Sequence, residues 1–485
     1  MTCSIDMMEN QNTIIDMPLS AIEIFALQKK TALKWRNSTS KDRIVRLENL
    51  KKWVVKNKKL IQEAIYQDFK KPPIETDLSE IFPVTSEINH VIKHLAFWMK
   101  PQKVSTPMSM LGTSGKITFE PKGVSLIIGP WNYPFNLTIG PLISALAAGC
   151  PAILKPSELT PNTSILIEKM ILELLEPDQV AVFRGGVEVA QELLKLPFDH
   201  IFFTGSPKVG KIVMEAASKN LVSITLELGG KSPAIVAHDA DLSDAAEKLI
   251  GGKFINNGQT CVAPDYILVH KEVKERLVME LKTTIQKMYD PKYEGIEHSG
   301  DLARVVNDNN YKRLNDLLED ALIKGAKLEF GGKNDPSDRY LEPTLLSQMN
   351  DTMDIMKEEI FGPILPILEY SDLQETIDYI NRNPKPLALY YFGKKNTDME
   401  MVLKNTSSGN AMINDCVIHF LHPNLPFGGV NNSGIGSAHG HFGFLAFSHQ
   451  KGILTQRVGY NNISMLRPPY GITTRKILSQ LMKWF

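Results

Sequence analysis

Cys261 and Glu227 are the residues of this chain whose types and setting could do covalent chemistry. Cys261 lies in Phe254-Ile-Asn-Asn-Gly258-Gln259-Thr-Cys261-Val-Ala-Pro264, a glycine-punctuated loop with no cysteine nearby to pair with it. A lone thiol in such a loop is a candidate nucleophile. Its reactive form is the thiolate, and a free thiol with a pKa of about 8.5 is mostly protonated, so the site must lower it. Upstream stands Glu227-Leu-Gly229-Gly230-Lys231, a carboxylate beside two flexible glycines. A thiol and a carboxylate in one cleft are what acyl transfer followed by hydrolysis requires. Each also has a plain reading. Lone cysteines are often inert core residues, and Glu227 could be the buried partner of Lys231.

Other segments share this double character. Gly129-Pro130-Trp131-Asn132-Tyr133-Pro134-Phe135 fixes the backbone where a strand hands over to a helix, and presents the Asn132 amide there. That amide could donate to a developing oxyanion or simply satisfy a proline turn. Lys155-Pro-Ser-Glu158 ends a β-rich run, where an acidic residue commonly accepts from ribose hydroxyls; it could equally be a solvated turn. Phe203-Thr-Gly205-Ser206-Pro-Lys-Val-Gly210 closes a strand and opens a helix, whose N-terminus favours an anion such as a phosphate. Glu358-Glu359-Ile-Phe361-Gly-Pro could hold a ribose and a flat ring, or cover a core Phe. Pro426 to Gly436 is a glycine-dense loop that could line a pocket. His419, His422, His439, His441 and His449 lack metal-ligand spacing and are read as non-ligands, so no metal is expected.

The elements that must position these residues fall into two texture classes. Residues 18–100 read as helical, with apolar residues at three- and four-residue spacing over Leu19–Trp35, Lys41–Asn57, Lys59–Asp68 and Ser79–Met99. From about residue 124, short β-rich runs (Val124–Ile128, Ala152–Leu154, Val180–Phe183, His200–Thr204, Ile224–Leu226) alternate with helical segments. A second series follows Gly230: Ala234–Ala237, Leu242–Phe254, Tyr266–Val269, Glu272–Met288, Ile364–Glu369, Leu373–Asn381, Leu387–Phe392, Asp398–Leu403 and Ala411–Asn414. Strand–helix alternation specifies parallel sheets covered on both faces. The fold class is therefore α/β, with two doubly wound Rossmann-like domains and a cleft between them. Lys116–Glu120 and Gly452–Val458 read as lone strands that could form an arm.

Bulk composition excludes several alternatives. At 485 residues the chain implies two or three domains. With 54 basic and 54 acidic residues it has no net field to attract nucleic acid, and no nucleic-acid partner is expected. Cys3, Cys150, Cys261 and Cys416 are widely separated, which suits free thiols in a reducing interior. The N-terminus has no secretion-signal pattern and no run is long enough to span a bilayer, so the expected location is cytoplasmic.

In order along the chain, Gly-Pro-Trp-Asn-Tyr-Pro, Lys-Pro-Ser-Glu, Phe-Thr-Gly-Ser-x3-Gly, Glu-Leu-Gly-Gly-Lys, Asn-x-Gly-Gln-x-Cys and Glu-Glu-Ile-Phe-Gly-Pro closely resemble the NAD(P)-dependent aldehyde dehydrogenase superfamily. Asn132-Tyr133-Pro134, Thr260 to Tyr266 and Leu425 to Gly434 resemble its class 3 branch, which handles fatty and aromatic aldehydes and is usually dimeric. The resemblance implies Cys261 as nucleophile, Glu227 as base, and Asn132 with the Cys261 backbone N–H as oxyanion hole. A helix end and the bound nicotinamide cation would lower the thiol pKa. Trp131, Lys155, Glu158, Gly205, Ser206, Gly210, Glu359 and Phe361 would bind the cofactor, with Lys155 and Glu158 at the adenosine ribose, Gly205 and Ser206 at the pyrophosphate, and Glu359 and Phe361 at the nicotinamide ribose and ring. Glu158 favours NAD, with NADP possible.

The implied organisation is an NAD(P)-binding domain over 1–101 and 124–228, a catalytic domain over 229–411, and a bridging arm from 102–123 and 412–460. A tail follows over 461–485. There Ile472, Ile477, Leu478, Leu481, Met482, Trp484 and Phe485 share a helical pattern with Arg475, Lys476 and Lys483. Such an end could lie on a membrane surface or against a partner subunit. A CoA-acylating enzyme, in which CoA releases the acyl group, would need no base at Glu227. A non-catalytic binding protein of the same fold would need neither Cys261 nor Glu227.

Overall fold

The computed structural model describes residues 19–459, 461, 464 and 467–484; Cys3 and Phe485 lie outside them. Helices Ala21–Trp35, Ser40–Lys56 and Lys58–Phe69 open the described chain. The first two begin with capping boxes, Ser20 with Glu23 and Thr39 with Asp42, which satisfy the free N–H groups of the first turn. A further helical run from Pro73 to Trp98 contains a π-helical stretch, Asp77–Ile81. Its apolar face, with Val84, Ile88, Val91 and Leu95, packs into the core of the first sheet.

That sheet has six strands in the order Gly434–Ile435, Ser223–Glu227, His200–Thr204, Ser125–Ile128, Ala152–Lys155 and Val180–Val182. The first pairing is antiparallel and the others parallel. Chain order reverses between Ser125–Ile128 and His200–Thr204, so the segments leaving those two strands diverge and open a crevice at their carboxyl ends. Asn132 and Gly205–Ser206 are on those two segments. Helix Asn136–Ala148 leaves the crevice and is buried along nearly its whole length between sheet and outer helices.

The second sheet has seven strands, ordered Lys327–Phe330, Thr344–Ser347, Ile364–Tyr370, Tyr266–His270, Pro233–Val236, Ala388–Phe392 and Asn410–Ile413. All but the first pairing are parallel. Two doubly wound α/β sheets are thus present, as expected. A third, antiparallel sheet joins Gln102–Val104, Thr113–Pro121 and Ser448–Gln456, and it carries both lone strands read as an arm.

Two boundaries differ from the sequence reading. Strand Asn410–Ile413 runs through the boundary drawn at 411 and belongs wholly to the seven-stranded sheet. Within 412–460, Gly434–Ile435 pairs with the first sheet and helix Gly440–Ala446 packs on helix Asn136–Ala148, so of that segment's strands only Ser448–Gln456 belongs to the arm. The reason is local. The glycine-dense loop can fold back tightly, and Gly434, at φ +152, brings its backbone against the Leu226 carbonyl where a Cβ would stand 2.4 Å away.

Candidate active site

The crevice between the two large sheets holds a cavity of about 530 Å³. Asn132, Cys261, Glu227, Trp131, Gly205, Ser206, Glu359 and Phe361 all line it. Its outer wall is apolar, formed by Leu78, Phe82, Leu137, Ile418, Phe420 and Leu421.

Cys261 is half-buried in the loop that follows helix Leu242–Phe254 and the short turn Ile255–Gly258. Burial, then the carboxylates of Glu359 and Glu227, push its thiol up to about 12; the Cys261 and Val262 backbone N–H groups pull the other way. The expected lowering, from a helix end and the bound nicotinamide cation, is not present in the protein without its cofactor. The helix preceding Cys261 points its C-terminus at the loop, the end that repels negative charge.

Glu227 ends strand Ser223–Glu227 and is buried, and among the described residues neither carboxylate oxygen has a hydrogen-bond partner. Burial raises its pKa well above the usual carboxylate range. The alternative pairing with Lys231 is not made. Lys231 Nζ donates instead to Asp265 and to the carbonyls of Ile355 and Glu358, at 2.8 and 2.9 Å for the latter two. Asn132 Nδ2 donates to the Gln259 carbonyl at 3.0 Å, which leaves its second N–H. Tyr133 and Thr260 hydroxyls meet at 2.6 Å, a second tie between the Asn132 and Cys261 loops.

Three groups suit a dinucleotide. Ser206 caps helix Pro207–Ser218 and, with Gly205, lines the cavity, so the helix N-terminus faces it and favours a pyrophosphate. Phe361, held at φ +51, meets Trp131 edge to face at 5.3 Å, giving two rings beside the space for a flat heterocycle. Glu359 is pushed up to about 8, by burial first and then by Asp265. Its carboxylate occupies the space that a Cβ on Gly229 would fill, 2.2 Å away.

Lys155, Glu158 and Gly210 do not line this cavity. Lys155 and Glu158 pair with each other where strand Ala152–Lys155 ends. Gly210 faces Leu228, where a Cβ would come within 2.8 Å of the leucine side chain, so its missing side chain serves helix–sheet packing. Of the histidines, His439 lines the cavity, and burial lowers the pKa of His419 to about 4.

Several residues of the site had no assigned role in the sequence reading. Gln259 Nε2 donates to the Asn256 and Arg304 carbonyls, and Gln259 Oε1 accepts from Val306 N at 2.9 Å. Asn256, inside the Asn-x-Gly-Gln motif, ties the two loops together. Glu75, Lys71 and Glu80 reach the same place from the helical region, and no motif marks them.

A strand order that reverses beneath the cleft, with a thiol across from the reversal, defines a class: doubly wound α/β enzymes that combine a nucleotide crevice with a cysteine. Comparison with known proteins makes the class specific, because the aldehyde dehydrogenase family model matches residues 20–453 and the chain belongs to that family. It is similar to the putative aldehyde dehydrogenase AldX of Bacillus subtilis, 48% identical over 436 residues, covering 89% of this chain and 97% of that protein. The 4,4'-diaponeurosporen-aldehyde dehydrogenase of Staphylococcus aureus is 45% identical, covering 87% and 91%. Mouse aldehyde dehydrogenase family 3 member B2 is 42% identical, covering 92% and 91%.

Among solved structures, a substrate-bound Staphylococcus aureus AldH superposes with a TM-score of 0.91 at 42% identity, covering 96% of this chain and 100% of that one. Staphylococcus aureus betaine aldehyde dehydrogenase in complex with NAD+ gives 0.81 at 26%, covering 91% and 88%. The protein is therefore an aldehyde dehydrogenase of the class 3 branch, an oxidoreductase that oxidises aldehydes with NAD(P).

Proposed function

We propose that the protein oxidises medium- or long-chain aliphatic or aromatic aldehydes to the carboxylic acids through a covalent adduct on Cys261. The observation that carries this is Glu227, a buried carboxylate in the same cavity as the thiol, with no hydrogen-bond partner among the described residues. Unpaired buried carboxylates are costly and are retained where a proton must be taken up.

In this reading the Cys261 thiol loses its proton to solvent, and its sulfur attacks the aldehyde carbon, forming a C–S bond as the C=O π pair moves onto oxygen to give an oxyanion. The free N–H of Asn132 and the Cys261 backbone N–H hold that oxyanion. One such donor is worth about 3–4 kcal/mol in the transition state. When bound against Glu359, Phe361 and Ser206, NAD supplies the hydride acceptor and a positively charged ring. Loss of hydride from the tetrahedral carbon leaves a thioester on Cys261. Glu227 then takes a proton from water, whose oxygen attacks the thioester, and collapse of the adduct releases the acid and the thiol.

The apolar outer wall supports substrates with a long or aromatic body, as does the likeness to the 4,4'-diaponeurosporen-aldehyde dehydrogenase. In this reading Glu158, just beyond the end of strand Ala152–Lys155, would exchange its pairing with Lys155 for the adenosine ribose hydroxyls, which would favour NAD over NADP. The arm sheet, whose outer strands Gln102–Val104 and Ser448–Gln456 are mostly exposed, supports a homodimer built across it.

The test is Glu227→Gln. It should give a burst of NADH near one equivalent followed by slow turnover, because the acyl-enzyme forms but is not hydrolysed. A steady-state rate equal to the parent would remove Glu227 from the reaction.

A further inference from the structure

We propose that Glu75 is a positioning residue for the oxyanion hole, acting through Asn256. This rests on the reading of Cys261 as nucleophile and Asn132 as oxyanion donor. The turn before Cys261 has an unusual backbone: Asn256, Asn257 and Gly258 are left-handed in succession, at φ +55, +53 and +74. Asn is among the few non-glycine residues that adopt this conformation readily, so the two asparagines permit the turn, and its placement is set by the groups that bind it from outside.

The Asn256 backbone N–H donates to Glu75 Oε1 at 2.8 Å. With its backbone held there, the Asn256 side chain reaches the Asn132 carbonyl at 2.8 Å and the Gln259 carbonyl at 3.1 Å. The Gln259 carbonyl also accepts from Asn132 Nδ2 at 3.0 Å. Asn132, Asn256 and Gln259 thus close a ring joining the amide loop of the first sheet to the thiol loop leading to the second. Both oxyanion donors hang from it, and Cys261 follows Gln259 by two residues.

The same helical run holds the other side. Glu80 Oε2 accepts from the Asn136 N–H at 2.7 Å, just beyond Asn132. Lys71 pairs with Glu80 at 3.3 Å and stands 3.9 Å from the Tyr133 ring centre. Five residues of α-helix turn about 140° past a full circle, which would set Glu75 and Glu80 on different faces. The π-helical stretch Asp77–Ile81, with its i→i+5 spacing, turns both toward the junction.

The experiment compares Glu75→Gln, which keeps a carbonyl acceptor at nearly the same size, with Glu75→Met, which has none. The readouts on the full chain are kcat and KM with benzaldehyde and NAD+, the rate of Cys261 alkylation by iodoacetamide, and the thermal midpoint. Displacing the oxyanion donors should lower kcat of Glu75→Met by roughly 30-fold or more. Its KM for NAD+ and its alkylation rate, which need no oxyanion hole, should stay within about threefold of the parent, and Glu75→Gln should recover most of kcat.

Three results would overturn the proposal: kcat unchanged in Glu75→Met, alkylation falling in step with kcat, or Glu75→Gln no better than Glu75→Met. Should Glu75→Met not fold, Glu75→Ala removes the acceptor without burying a new side chain, and failure of both assigns Glu75 to stability and rejects positioning. A Cys261→Ala control that still turns over would retract the functional reading and this inference with it, whereas the results above overturn the inference and leave that reading intact.

Discussion

Burial and the carboxylates of Glu359 and Glu227 push the Cys261 thiol up to about 12 in the protein without cofactor. The sign is definite. A raised thiol pKa leaves thiolate scarce at neutral pH, and its fraction grows about tenfold per pH unit below the pKa. Alkylation of the cofactor-free protein should therefore climb steadily from pH 7 to 10 in a timed iodoacetamide quench. A plateau near the ordinary thiol pKa of about 8.5 would mean that the resting site already activates the sulfur. At this scale the sequence is legible where chemistry sits beside glycine or proline. Asn132, Glu227 and Cys261 each stand in such a setting and all three face one cavity. Glu75 and Gln259 were not assigned roles because hydrogen-bonding partners far apart in sequence leave no local pattern: Glu75 meets a backbone N–H 181 positions away. Lys155 and Glu158 illustrate the converse, since their spacing is equally good for pairing with each other.

Among the elements, the turn Ile255–Gly258 is where backbone conformation and packing coincide. Gly258 is left-handed, and a Cβ there would stand 2.2 Å from the carbonyl oxygen of Gly362, beside Phe361. Gly258→Ala should cost about 1–3 kcal/mol for overpacking and about 1 kcal/mol more for the conformation. Thermal unfolding would read this as a drop of several degrees, and the cofactor KM should rise with it because the contact carries Phe361; an unchanged midpoint would refute the packing argument. Period-2 and period-3.6 patterns located most strands and helices to within a few residues, including helix Leu242–Phe254. No element was assigned between Met288 and Ile364, yet helix Asp308–Ile323 lies there with Tyr311, Leu314, Leu317, Leu318 and Ala321 on its buried face. The spacing was present, but a polar opening, Asn307-Asp-Asn-Asn, reads first as loop. The π-helical stretch Asp77–Ile81 has no counterpart in apolar periodicity, which reports the buried face of a helix and not its backbone hydrogen-bond spacing.

For the whole molecule, the sharpest open surface is the C-terminal helix Ile472–Trp484, where Ile472 and Met482 are each 75% exposed beside Arg475, Lys476 and Lys483. Among the described residues no helix is long and apolar enough to cross a membrane. An amphipathic basic helix can instead lie in the headgroup layer. Flotation with anionic liposomes should carry the full chain upward and leave a 1–470 truncation behind; equal partitioning would assign the exposed face to a subunit contact. The pairing of Gly434–Ile435 with Ser223–Glu227 has a different reach. Ribosomes deliver a chain from its N-terminus, so the strand that ends in Glu227 emerges more than 200 residues before its outer neighbour. Throughout that interval the nascent first sheet carries an unpaired edge, the kind of surface that recruits other strands. A product terminated before Gly434 would therefore end with an open sheet edge at the strand that carries Glu227.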